Sequence, residues 1–585
     1  MVLQRLILPG DMPQADARMF WRAPGGRLRR GETIRLDTYF NAFSLDKWIG
    51  YTCASAIYLR LAFRGQIRVT IYRATLRAGA VHETQLSQAD ASGDAVEIEL
   101  SQLGGAGMLY PVIEARSDDA ELFGGHYGCR DAPVRAVHVA MGICTYRREA
   151  YVASTLAALR AGILENADDP MHGRFSVFIA DNGRTLDARE FSCAGVHLFP
   201  NANAGGAGGF ARCMLEAMRA DEPITHVMIS DDDIELHPEA LRRIDAFLQM
   251  VKPEYAARTL AGAMLRMDKR HVQTELAGLW RGQFTESLHR DFDMREFSDV
   301  LRNDRPLSSD YNAWWCSVIP MEVIRKKGLP LPLFIRFDDV EYGLRTGGNS
   351  ISLSGICVWH EPFDGKRDVS MEYYHARNGQ IVNALHRPEM GGFKRFMKLA
   401  RHTYICMIRY RYDEADCALF GISDYLNGPE WLMRLDYEKQ HAAIRRAGAQ
   451  PMPTAALSPP ITRQQAERGQ RTYPAWRKAL CMLTLNGIFV KKRESAVVIA
   501  HEHDMCAVWG RTTIVHLLAG GELCYVTERD NRAALRLTGR FLAVALRYAA
   551  KSGAVARKYR AARATMTGAA FWAQYLKLHT GRENA

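Results

Sequence analysis

The chain has 585 residues, 48% hydrophobic and 24% charged, with a formal net charge of +11. That mixture is globular and excludes disordered and fibrous classes, and the length allows about four average domains or two to three large ones. Mean hydropathy is −0.21, and no apolar run approaches the length of a membrane-spanning helix. The opening MVLQRLILPGDMPQ lacks a charged stretch followed by a long apolar block, so no secretory leader is expected and the chain is read as cytoplasmic. Twelve cysteines lie scattered without a C-x-x-C pair. This argues against a zinc ribbon, a redox motif or a disulfide framework, and predicts reduced, mostly buried thiols.

Residues 1 to about 132 read as all-β. Ile67–Arg73 and Ala95–Leu100 alternate apolar and polar residues, the mark of half-buried strands, and Gly/Asp/Ser-rich turns separate the runs. A small β-sandwich is the expected product. From residue 133 to about 370, buried strands alternate with helices: Val134–Cys144, a helix over Glu149–Ala161, Phe175–Ala180, Val196–Phe199, a helix over Phe210–Ala220, then Thr225–Ser230. This pattern predicts an α/β domain with a mostly parallel sheet, whose ligands bind beyond the carboxyl ends of the strands. From 371 to 585 the pattern is mostly helical (Glu372–His386, Phe393–Tyr410, Arg532–Ala550, Ala561–Lys577), with an exposed Pro-rich loop at Gln450–Pro460.

The charge is concentrated at the end of the chain. From Tyr525 onward there are 12 Lys and Arg against the three acids Glu528, Asp530 and Glu583. Two readings fit: a basic, partly amphipathic tail for an anionic membrane, with Phe541, Tyr548, Tyr559, Phe571 and Trp572 as its aromatics, or an ordinary helical domain with a solvated basic face. Nucleic acid is not expected as a partner, because no nucleic-acid motif accompanies the charge.

Three polar clusters carry the chemistry. Ser230-Asp231-Asp232-Asp233 follows a buried strand; along an extended segment Asp231 and Asp233 point one way and Asp232 the other. Such a pair suits a hard divalent cation with phosphates completing its shell, whereas a helix cap before Pro238 needs only one acid. The glycine cluster Asn203-Ala-Gly205-Gly206-Ala-Gly-Gly209 opens a helix and suits either a close approach to an anion or a plain turn. Phe334-Ile-Arg-Phe-Asp338-Asp339-Val-Glu341 places adjacent carboxylates where one can act as a general base, a role compatible with acids in a helix's first turn. Of the neighbouring Trp314 and Trp315, a strand would bury at most one and leave the other to stack on a sugar. His360, ending the run Ile351–Val358, is either structural or a third metal ligand, which would admit Mn²⁺ beside Mg²⁺.

Together these features describe a nucleotide-sugar site with one base and no nucleophile, hence a single displacement with inversion. The ordered set Thr145-Tyr-Arg147, Asp181-Asn-Gly183, NAGGAGG, DDDI, WW, FIRFDDVEYGLR and WH, with Leu3–Pro9 and Thr38–Phe43 before it, resembles the polymerising galactofuranosyltransferases of cell-wall galactan, inverting enzymes of GT-A fold. The resemblance implies UDP-galactofuranose as donor and a growing glycan, lipid-linked or free, as acceptor. It implies donor contacts from Arg147, Asp181, Asn203, Gly205, Gly206, Asp231 and Asp232, and a divalent metal on Asp231, Asp233 and His360. Asp339 becomes the catalytic base with Asp338 supporting it, and Trp314, Trp315 and Glu275 line the acceptor subsite. The resemblance also implies a peripheral enzyme, on the cytoplasmic face of the inner membrane, that can form homo-oligomers. The alternatives are a same-fold transferase using another UDP- or dTDP-sugar, a catalytically silent glycan-binding protein, and a polyanion-binding protein.

Overall fold

The computed structural model describes residues 1–12, 14–23, 27–191, 193–362, 368–388, 392–445, 450–457, 473–490, 493–499, 505–518 and 522–578. The chain divides into two compact units. One holds Met1–Leu279, Glu286–Pro330 and Tyr342–Pro362; the other holds Trp280–Thr285, Leu331–Glu341 and Phe363–Ala585.

The first unit begins with two antiparallel sheets. One orders Val2–Arg5, Ala120–Cys129, Ile57–Arg64 and Ala95–Glu99; the other orders Thr33–Arg35, Met108–Ala115, Gln66–Arg77 and Ala80–Ser92. Ile57, Leu59, Leu61 and Phe63 are buried and alternate with more exposed neighbours, the period-two pattern of a one-sided sheet. This is the N-terminal β-sandwich that the alternation predicts.

The α/β part of this unit is a six-stranded sheet ordered Val196–Pro200, Phe175–Asp181, Val139–Thr145, His226–Asp231, Ser317–Pro320 and Leu260–Ala261. The first four strands are parallel, and Ser317–Pro320 runs antiparallel beside them. The sheet is buried throughout Phe175–Asp181, as expected when both faces are covered. Its register decides where the chemistry goes: Thr145 pairs with Asp181 and Cys144 with Asp231, so the polar ends of three strands finish at one sheet edge.

Helix Gly205–Arg219 covers this sheet closely. A Cβ on Gly209 would lie 2.1 Å from Cys144 Sγ, and one on Gly142 would lie 2.9 Å from Cys213 Cβ. Glycine at both positions lets the helix axis approach the strand. A second, smaller sheet orders Ile234–Glu235, Cys357–His360, Ala263–Arg266, Val272–Glu275 and Phe292–Asp293.

The second unit packs helices Ser370–His386, Gly392–Ile408, Tyr412–Tyr425 and Asn531–Met566 around a core that includes Tyr373, Ile381, Leu419, Ile422, Tyr425 and Tyr559. The helical expectation is met, but a four-stranded sheet joins it: Met452–Pro453, Leu523–Glu528, Arg511–Leu517 and Arg493–Ile499. Strands this short are hard to tell from helix by periodicity alone. Of the expected Pro-rich loop, Met452–Pro453 pairs into that sheet, and residues 458–460 lie outside the described residues.

The tail's aromatics turn inward, which corrects their reading as membrane contacts. Tyr548, Tyr559 and Trp572 are buried; Tyr559 stacks on Tyr425 at 5.5 Å, and the Tyr548 hydroxyl donates to Gln380 Oε1 at 2.6 Å. What faces outward is Leu535, Leu542 and Leu546 among Arg532, Arg536, Arg547 and Lys551. Among the described residues no helix is long and apolar enough to cross a membrane.

Candidate active site

Asp231, Asp233 and His360 converge, each offering one ligand atom within 4.8 Å of the others. The small sheet causes this. Ile234, the residue after Asp233, pairs with His360, so the imidazole is delivered beside the acidic turn. His360 Nε2 lies 3.0 Å from Asp233 Oδ1 and 3.7 Å from Asp231 Oδ2, while Nδ1 faces the Glu361 carbonyl oxygen at 2.6 Å. An Nδ1–H donated to that carbonyl fixes the ring and aims Nε2 at the two carboxylates.

Arg148, which sequence reasoning passed over, organises the acids from behind. Its Nη1 donates to Asp232 Oδ1 at 3.0 Å and to Asp233 Oδ2 at 2.6 Å, leaving Asp233 Oδ1 turned toward His360. Burial pushes the Asp233 carboxyl up, but His360 and Arg148 outweigh it and hold the group at about 2. Asp232 is raised by burial, against the pull of Thr145 and Arg148. His360 is itself raised: burial disfavours its charge, and Asp233 and Asp231 more than offset this. The expected alternation holds in part. Asp231 and Asp233 share His360, while Asp232 turns to Arg148. Position alone did not flag Arg148, because a guanidinium after a strand end is common; its signal is adjacency to Arg147 at the same sheet edge.

The residues expected from the sequence to contact a donor lie at that edge. Arg147 is exposed, with a left-handed φ of 56° and its guanidinium 5.2 Å from the Tyr146 ring centroid. Asp181 is buried and accepts from the backbone N–H groups of Gly183, Thr185 and Leu186 at 2.8–2.9 Å, so its carboxylate shapes the following loop. Asn203 Oδ1 accepts from Gly205 N at 3.1 Å at the start of the glycine helix, where Gly205 has φ of 68°. Gly206 is half-buried in the first turn of the same helix.

Trp314 and Trp315 sit in a turn before strand Ser317–Pro320, and both are buried. This corrects the strand reading, since without a strand the alternation that leaves one ring outside does not apply. Trp314 meets Phe210 and Tyr342 edge-on at 5.3 and 5.7 Å; Trp315 Nε1 donates to the Gly262 carbonyl at 3.1 Å. Glu275 is buried, accepting from Ser287 Oγ and from the Tyr311 hydroxyl, the latter at 3.4 Å.

The acidic pair Asp338-Asp339 opens helix Asp338–Thr346 and belongs with the second unit. The chain before it is contorted: Phe334, Arg336 and Phe337 have φ of 75°, 66° and 64°. A left-handed conformation at a non-glycine residue costs roughly 1–2 kcal/mol, and three such residues in four mark a segment held by its surroundings. Phe334 stacks between Tyr374 and Tyr437 (5.5 and 5.0 Å), and Phe337 meets Trp280 at 4.9 Å and His375 at 5.3 Å. Asp338 is buried. Asp339 Oδ1 accepts from Val340 N at 2.8 Å, and burial pushes its carboxyl up to about 6, with the Val340 N–H and Arg336 pulling the other way. Glu341, fully buried, lies 3.0 Å from His386 Nε2.

Residues 22–125 match the family described as "Galactofuranosyltransferase 2 N-terminal". The galactofuranosyltransferase GlfT2 of Mycobacterium tuberculosis is 28% identical over 472 residues, covering 74% of this chain and 72% of that protein. The one from Mycolicibacterium smegmatis is 27% identical over 595 residues, covering 94% of this chain and 89% of that protein. Two solved structures also resemble parts of it. They are a mannosyltransferase from Pyrobaculum calidifontis with GDP-Man and Mn²⁺ (14% identical, 54% of this chain and 81% of that one, TM-score 0.27) and GalNAc-T7 with UDP, GalNAc and Mn²⁺ (11% identical, 48% and 53%, TM-score 0.33). Those scores are too low to carry an argument. The sequence likeness runs through most of the chain, and on it this protein is a glycosyltransferase related to the galactofuranosyltransferases.

Proposed function

We propose that the enzyme transfers galactofuranose from UDP-galactofuranose to a hydroxyl of a growing glycan, with inversion and with a divalent metal. The observation that carries this reading is the convergence of Asp231, Asp233 and His360 at the sheet edge. Two carboxylate oxygens and one imidazole nitrogen suit Mn²⁺, and Mg²⁺ less well because of the nitrogen. When bound there, such an ion supplies positive charge against a diphosphate leaving group.

The chain's own residues do the rest. Asp339 takes the proton of the acceptor hydroxyl on a carboxylate oxygen, and a carboxyl raised to about 6 is a stronger base than an ordinary aspartate while still ionised at neutral pH. Asp338 supports it. Displacement at the anomeric carbon is single and inverting: the acceptor oxygen bonds to that carbon as the bond to the diphosphate breaks and UDP leaves. Arg147, Asn203, Gly205, Gly206 and Asp232 hold the nucleotide, and Asp181 acts on it through the loop it shapes. Trp314, Trp315 and Glu275 bound the acceptor subsite, where burial suits the rings to walls more than to open stacking platforms. The names of the two relatives support galactofuranose as the sugar. The outward basic face with Leu535, Leu542 and Leu546 supports residence on an anionic membrane surface, at the cytoplasmic face of the inner membrane.

A donor panel with purified enzyme, Mn²⁺ and a short synthetic galactofuranosyl acceptor, followed by product linkage analysis, tests this reading. Turnover of UDP-galactofuranose that stops with EDTA is expected. Turnover of UDP-glucose or dTDP-rhamnose in its place overturns the sugar assignment, and glycan binding without turnover of any donor overturns the enzyme reading.

A further inference from the structure

The strained run before Asp338 carries carbonyls that no regular ladder satisfies, and one helix collects them. Asn378, fully buried on helix Ser370–His386, donates from Nδ2 to the carbonyl oxygens of Leu333 (3.2 Å), Ile335 (2.9 Å) and Arg336 (2.9 Å). Its Oδ1 accepts from Arg377 Nε at 2.9 Å, which fixes the orientation of the amide. Arg377 in turn donates to the Leu333 carbonyl at 2.7 Å and to the Tyr373 hydroxyl at 3.2 Å, and lies over the rings of Tyr373, Tyr374 and Tyr437. The Tyr373 hydroxyl donates to Asp424 Oδ2 at 2.8 Å, with Gln440 Nε2 on the same oxygen at 2.9 Å.

From this geometry we infer that Asn378 is a positioning residue for transfer: its amide holds the left-handed segment Phe334–Phe337, and thereby sets where Asp339 stands at the start of its helix. The inference rests on Asp339 being the base. Three non-glycine residues stay in a sparsely populated conformation only while their surroundings fix them; without Asn378 the Leu333 carbonyl keeps Arg377, but the carbonyls of Ile335 and Arg336 lose the donor that ties this run to the helix. A small displacement of a catalytic group is enough to slow a reaction that depends on alignment.

The test is steady-state kinetics on the full-length enzyme with UDP-galactofuranose and a synthetic acceptor. Asn378→Ala is expected to lower kcat about 30-fold while the KM for donor stays within about threefold. Adding Arg336→Gly, which lets that position take a positive φ without strain, is expected to recover at least about fivefold in kcat, whereas Arg336→Ala in the same background recovers none. If Asn378→Ala does not fold, as judged by thermal melting and UDP binding, Asn378→Ser replaces it with the same expectations. A kcat within about twofold of the parent enzyme, or equal effects of glycine and alanine at 336, overturns the inference. Asp339→Asn is measured alongside. If that variant transfers at the full rate, the base assignment fails and takes this inference with it; if it is inactive while Asn378→Ala is fully active, the positioning role alone fails.

Discussion

His360 and Asp233 lie far apart in sequence yet meet at 3.0 Å, because the two-residue strand Ile234–Glu235 pairs antiparallel with Cys357–His360. One backbone register thus places an imidazole beside two carboxylates, and Arg148, bonded to Asp233 Oδ2, leaves Oδ1 facing His360. The metal site proposed for these three side chains depends on the strand pairing as much as on the ligands.

Removing Arg148 is therefore expected to hurt metal binding without removing a ligand. Arg148→Ala should weaken Mn²⁺ affinity about 10- to 100-fold, read by titration calorimetry in the presence of UDP, while His360→Ala should abolish the metal-dependent part of UDP binding. An unchanged Mn²⁺ affinity in Arg148→Ala would show that Asp233 needs no guanidinium to hold its position.

Asp339→Asn is expected to reduce transfer by about 10²- to 10⁴-fold and to leave UDP binding intact. In the role proposed for it, Asp339 works ionised. Burial raises its carboxyl to about 6, so kcat should be flat above that pH and fall about tenfold per pH unit below it. A limb near pH 4 in the kcat profile would indicate an unburied aspartate in the base role.

The glycine cluster makes a prediction about packing. Gly209→Ala would place a methyl 2.1 Å from Cys144 Sγ, and overpacking of this kind costs about 1–3 kcal/mol. Urea denaturation should show that loss, and adding Cys144→Ala should recover part of it. A variant as stable as the parent would mean the helix can lift off the strand freely.

Trp315→Phe is expected to cost about 1–3 kcal/mol by leaving the buried Gly262 carbonyl without its indole donor. Thermal melting measures it. Loss of activity with no loss of stability would instead mark Trp315 as a substrate contact.

The α/β architecture was legible because each motif stands at the end of an apolar run and parallel strands finish together, whereas His360 reaches Asp231 and Asp233 through the antiparallel pairing of Ile234–Glu235 with Cys357–His360. Arg148 was not legible, since its importance comes from reach across the sheet edge rather than from position in a motif. The tryptophan pair misled because Trp314-Trp315 lies in a turn, where period two has no force. Asp181 was legible as a residue of the edge, but its carboxylate is spent on three backbone N–H groups, a local use that a short Asp-Asn-Gly stretch announces only once the loop is seen. The strain at Phe334–Phe337 carries no sequence mark at all, because nothing there is glycine.

The inward turn of Tyr548, Tyr559 and Trp572 bears on how the basic tail must be studied. Its cations and part of the second unit's core lie along the same helix, so a truncation removes both at once and its phenotype is ambiguous. Charge reversal at Arg532, Arg536, Arg547 and Lys551, which point away from that core, separates electrostatics from folding and leaves the hydrophobic scaffold whole.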